Sequence, residues 1–109
     1  MDFNCTKNGD ALVVIVSGRM DAITATEFDT QCQSWISDGE TKVVIDLSDL
    51  EYISSAGLRS ILAAAKKLKG VQGELLFSGL SGMVEEVFNV SGFAAMFKIY
   101  KTPEDALAG

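Results

Sequence analysis

The sequence predicts one α/β domain built on a mainly parallel sheet of about five strands, one of them an antiparallel hairpin strand, together with about four helices. Three observations carry this expectation. Short β-branched runs alternate with segments of helical periodicity in the order β-β-α-β-α-β-α-β-α. The runs Leu12–Val16 and Lys42–Leu47 are apolar on both faces, as strands covered from both sides are. A length of 109 residues suits a single core, so residues 1–109 are read as one domain.

The elements follow in chain order. Phe3–Cys5 and Leu12–Val16 make an antiparallel hairpin across Asn8-Gly9, a residue pair that tolerates positive φ. Thr24 with Glu27 three residues later reads as a capping box, and Ala25, Phe28, Cys32, Trp35 and Ile36 then keep helical spacing until Asp38-Gly39. Lys42–Leu47 reads as a central strand. Beyond the polar turn Ser48-Asp49, a second helix runs from Ala56 to Lys69 with Leu58, Ile61, Leu62, Ala65 and Leu68 on one stripe and Gly70 at its end. Lys66, Lys67 and Lys69 fall in its last turn, where cations complement the helix dipole, and this is preferred to a partner-binding patch. Glu74–Ser78 is a further strand, and Ser81 caps a short helix that carries Val84, Val87 and Phe88 and closes at Gly92. Phe97–Tyr100 is the last strand, and Thr102-Pro103-Glu104-Asp105 starts a terminal helix.

Composition narrows the function. With 48% apolar and 22% charged residues the chain can bury its own core. A net charge of −6 opposes binding to a phosphate polyanion, so direct nucleic-acid binding is not expected. There is no histidine, and Cys5 and Cys32 lack metal-site spacing, so neither a metal nor a cofactor is expected. The two thiols read as small buried hydrophobes of a reducing compartment. Met1-Asp2-Phe3-Asn4 has no signal-peptide character, and no apolar run approaches the ~18–20 residues of a membrane span, so a cytoplasmic chain without membrane insertion is expected. Without histidine the usual serine triad cannot form, and Asp46 and Asp49 read as a strand end and a turn. The chain is therefore not expected to be an enzyme, and no catalytic residue is assigned.

Sites in parallel sheets gather beyond the carboxyl ends of the strands, where Gly18–Asp21, Asp46–Gly57 and Ser78–Ser81 should meet. Ser54 and Ser55 both stand at the start of the second helix, yet one hydroxyl suffices for a cap. Ala56 and Gly57 leave the surroundings open to close approach. Gly57 costs about 1 kcal/mol inside a helix, and Arg59 sets a cation near the positive end of the dipole. Such local conflicts mark functional positions, although Arg59 paired with Asp49 or Glu51 on the surface would account for it as well.

Val43-Val44-Ile45-Asp46-Leu47 followed by Tyr52-Ile53-Ser54-Ser55-Ala56-Gly57-Leu58 resembles the signature of the STAS domain, the fold of bacterial anti-sigma factor antagonists. Gly18-Arg19-Met20-Asp21 is similar to that family's Gly-x-x-Asp turn, and the element order agrees over nearly the whole chain. The resemblance implies a STAS-like sheet, residues 1–109 as a single STAS domain, and a freestanding anti-sigma factor antagonist. In its unphosphorylated form such a protein binds an anti-sigma factor with serine kinase activity and releases a sigma factor, until phosphorylation blocks binding. By position the phosphoacceptor is Ser55, with Ser54 the alternative, and a serine phosphatase would act on phospho-Ser55. Many family members have Asp before the acceptor and Ser after it, where this chain has Ser54 and Ala56, so its acceptor has less acidic neighbours. We expect Asp21, Ser54, Ala56, Gly57, Leu58 and Arg59 to touch the partner. The same fold also implies a rival role, as the accessory subunit of a membrane (lipid) transporter or as a signalling scaffold component.

Overall fold

The chain first turns at Gly9-Asp10, where Gly9 takes φ +61°, and it returns beside itself as the antiparallel hairpin of β1 (Asp2–Asn8) and β2 (Ala11–Met20). In this computed structural model, which describes residues 1–109, there follow α1 (Ala25–Ser37), β3 (Lys42–Asp46), β4 (Leu50–Ile53), α2 (Ser55–Gly70) and β5 (Glu74–Ser78). The chain ends with α3 (Gly82–Ser91), α4 (Phe93–Met96), β6 (Ile99–Tyr100) and α5 (Pro103–Ala108). The strands form one six-stranded sheet in the order β1-β2-β3-β5-β6, parallel throughout except for the hairpin.

Strand β2 has two parallel neighbours, β3 and β4. Ala11–Ile15 pair with β3, and Gly18–Met20 pair with β4, Gly18 beside Leu50 and, after a register shift between Gly18 and Arg19, Arg19 beside Tyr52 and Met20 beside Ile53. The sequence predicts neither β4 nor α4. A four-residue strand is too short to show a period, and β4 pairs with the part of β2 that runs on beyond its pairing with β3. Gly92 ends α3 in the left-handed conformation, as expected, but Phe93 then packs on Phe88 and Phe97 with ring centroids 5.6 and 5.3 Å away, and this winds one more turn.

The two-sided apolar character of the strands divides into two cores of unequal size. On one face Val14, Val16, Val43, Ile45 and Phe77 meet Phe28 and Trp35 of α1, Ile61 and Leu68 of α2 and Phe88 of α3. Phe28, Phe77 and Phe88 are fully buried, each contributing about 2–3 kcal/mol relative to exposure. On the other face Val44 and Leu76 are covered by Ala106 of α5, with Val13 and Tyr100 at the margin. No helix is long and apolar enough to cross a membrane.

Two local expectations are corrected. Cys32 is buried in the main core, but Cys5 is exposed on β1, because the hairpin is an edge of the sheet. Thr24 does not form a capping box: its backbone is already helical, and its Oγ1 accepts from the Asp21 N–H at 2.8 Å and donates to the Arg19 carbonyl at 2.8 Å. The chain begins to turn at Asp21, whose Oδ1 accepts from the N–H groups of Ile23 and Thr24, both at 3.0 Å, and whose carbonyl accepts from Ala25.

Candidate functional site

The three strand-end segments meet at two junctions. At the first, Gly18 N–H donates to the Asp49 carbonyl at 3.2 Å and Ser54 N–H donates to the Met20 carbonyl at 2.9 Å, so the Gly18–Asp21 stretch lies beside the start of α2. At the second, Leu47 N–H donates to Ser78 at 2.9 Å, and Gly79 packs so closely on Asp46 and Ser48 that a Cβ there would lie 2.5 Å from Asp46 Oδ1. Asp46 is buried and its Oδ1 accepts from Ser48 N–H at 3.0 Å, which holds the turn out of β3. No cluster of three or more potential metal ligands exists.

At the first junction the serines divide their work. Ser54 is the N-cap of α2, in extended conformation, and its Oγ accepts from Gly57 N–H at 3.3 Å while its carbonyl accepts from Leu58. Ser55 is the first helical residue, exposed, and its hydroxyl has no hydrogen-bond partner within the protein. Ser55 and Ala56 also contribute amides that have no acceptor inside the helix, so the surroundings of the free hydroxyl favour negative charge.

Gly57 faces inward, against expectation. A Cβ there would meet Ile53 Cγ1 at 2.8 Å and Met20 Cγ at 2.9 Å, so its missing side chain lets α2 pack tightly on β2 and β4. The surface is left to its neighbours. Leu58 and Ser55 line an open groove of roughly 480 Å³ shared with Tyr52 of β4 and Glu86, Val87 and Val90 of α3. Toward α1, Ala56 and Arg59 line a smaller groove with Ala22, Thr26 and Asp29, where Ser60 Oγ ties α2 to the Ala25 carbonyl at 3.3 Å. Arg59 is exposed and forms no ion pair, neither with Asp49 nor with Glu51.

Asp21 directly precedes Ala22, which lines the second groove, and stands two residues before Ile23, which is 81% exposed. The N–H of Thr24, and after it that of Ile23, hold the Asp21 carboxyl below its ordinary range, so it stays ionised. Two features were not read from the sequence. Arg19 stacks over the Tyr52 ring, its guanidinium carbon 4.3 Å from the centroid, which follows from their adjacent positions in the β2–β4 register. Val90, 84% exposed, extends the Val84–Val87 spacing of α3 to the groove rim, a signal the sequence contains.

Comparison with known proteins agrees with this architecture. The sequence pattern of the STAS domain matches residues 2–106. Over 108 residues the chain is 38% identical to BtrV of Bordetella bronchiseptica, a candidate anti-sigma factor antagonist by name, the match covering 99% of this chain and 93% of that one. It is 30% identical to the anti-sigma-F factor antagonist RsfB of Mycobacterium tuberculosis over 94% of this chain and 82% of the relative. The crystal structure of an anti-sigma factor antagonist from Mycobacterium paratuberculosis superposes with a TM-score of 0.88 at 27% identity, covering 98% of this chain and 91% of the other. On these matches, and with this sheet and helix order, the chain belongs to the STAS domain family.

Proposed function

We propose that the chain is an anti-sigma factor antagonist that works by partner switching. Its unmodified form docks on an anti-sigma factor with serine kinase activity through Asp21, Ser54, Ser55, Ala56, Leu58 and Arg59, and the sigma factor is released. The kinase then transfers the γ-phosphoryl group of ATP to Ser55. A bond forms between Oγ and phosphorus as the bond to the departing ADP breaks, and the hydroxyl proton is lost. A serine phosphatase hydrolyses the ester and restores the binding form.

One observation carries this reading: the Ser55 hydroxyl is exposed and unengaged while that of Ser54 is occupied in the helix cap. The names of the relatives support the antagonist role. Phosphate adds about −1.5 to −2 charges at neutral pH, which the first turn of α2 tolerates in the free protein and a closely packed partner does not. A hundredfold loss of affinity requires only about 2.7 kcal/mol, within reach of one or two lost buried contacts.

The test is calorimetric titration of the purified chain with its anti-sigma factor. Ser55→Ala binds as the wild type does, and Ser55→Asp binds at least about tenfold more weakly. Tight binding by both variants would remove Ser55 from the mechanism. Phosphosite mapping on chain recovered from its own cell should place the phosphate on Ser55, whereas unmodified chain recovered with transporter subunits would replace the function and keep the fold.

A further inference from the structure

We propose that Arg59 receives the phosphate on Ser55 within the same helix, so that modification withdraws a cation from the docking face as well as adding an anion to it. This rests on Ser55 being the phosphoacceptor.

Arg59 lies four residues beyond Ser55 in α2. Side chains at that spacing share a helix face, with Cβ atoms about 5–6 Å apart, and an anion placed N-terminal to the cation is the favourable order. In the unmodified chain Arg59 has no carboxylate partner, since the ion pairs of the molecule are Lys7 with Glu40 and Lys98 with Glu74. The position gains a partner once an anion stands one turn before it. The guanidinium fork suits the purpose, because it matches two phosphate oxygens at once.

The other charges near Ser55 leave no better receiver. Glu86 of α3 shares the groove with Ser55 and Asp29 of α1 shares the neighbouring groove with Arg59, so both repel a phosphate. Arg19 is engaged over the Tyr52 ring. Lys66, Lys67 and Lys69 sit about three turns further along α2. While Ser55 is unmodified, the Arg59 guanidinium is available to a carboxylate of the partner; phosphorylation occupies it.

The test uses the full chain with phosphoserine incorporated at position 55 during synthesis and follows the phosphate by ³¹P NMR from about pH 4 to 8. A neighbouring cation favours the dianion and lowers its ionisation point. In Arg59→Gln the phosphate should titrate about 0.2–0.4 pH unit higher than in the wild-type background. Arg59→Lys should fall between the two, and Lys66→Gln should match the wild type. Identical titration of wild type and Arg59→Gln would overturn the proposal, as would an equally large shift in Lys66→Gln, which would reduce the effect to net charge. Because no kinase is needed, failure of Ser55 as the cellular acceptor shows in the phosphosite mapping and leaves this titration unchanged.

Discussion

Replacing Gly57 with alanine sets two effects of known sign against each other. Removing a glycine from a helix stabilises by up to about 1 kcal/mol, less near the first turn, where Gly57 stands. Against this, the new methyl carbon would lie 2.8 Å from Ile53 Cγ1, 2.9 Å from Met20 Cγ and 3.0 Å from Met20 Sδ. Neither Met20 nor Ile53 can yield cheaply, since both are buried and the atoms in question are not their flexible ends. Overpacking of this kind costs about 1–3 kcal/mol, so Gly57→Ala should destabilise by about 1 kcal/mol net, or about 4 °C in Tm. Urea unfolding followed by the fluorescence of Trp35, the single tryptophan and a core residue, reads this directly. The midpoint should fall with an unchanged denaturant slope. A variant more stable than the wild type would show that helix propensity wins, and the packing account of Gly57 would be wrong.

Three further outcomes follow from the same geometry. Ser54→Ala removes the oxygen that accepts from Gly57 N–H and should cost about 1 kcal/mol in the urea assay, while Ser55→Ala stays within about 0.5 kcal/mol; equal losses would reverse the division of labour between the serines. Gly79→Ala combines φ +74° with a methyl group 2.5 Å from Asp46 Oδ1 and 2.9 Å from Ser48 Cβ, so a loss above about 2 kcal/mol is expected, and an unchanged Tm would contradict the close approach. The Asp21 carboxyl is held below its ordinary value of 3.8, so its contribution is complete above that pH and is lost as pH falls through the lower folded value. The difference in Tm between wild type and Asp21→Ala should therefore be constant near neutrality and shrink below about pH 4, and a difference independent of pH would rule out the charged carboxylate as its source.

Where a local signal had a local cause, the sequence was legible. The hairpin, the two long helices and strands β3 and β5 follow from period and turn chemistry, and α2 starts within one residue of its expected place. Strand β4 was hidden because its pairing depends on the continuation of β2 past Ile15, where β3 leaves off, a property of two segments some thirty residues apart in sequence. Gly57 was recognised as an anomaly but given the wrong direction, since the sequence cannot say whether a glycine is small toward solvent or toward a neighbour. The serine pair raised the right question, namely which hydroxyl is spare, and only the extended backbone of Ser54 answers it. Arg59 kept its anomaly, because the acidic partners that would have explained it do not reach it.

The double pairing of β2 also bears on when the site comes into being as the chain folds. Residues 18–20 and 50–54 are brought together by parallel pairing, which a local turn cannot nucleate and which must await closure of the intervening α1–β3 loop. A chain that has formed its hairpin and its helices, but has not yet docked β4, has a free serine and no surface around it. The Ser54 amide, bonded to the Met20 carbonyl across that joint, becomes protected from hydrogen exchange only at that step. The surface around Ser55 is therefore complete only once the pairing of β2 with β4 has formed.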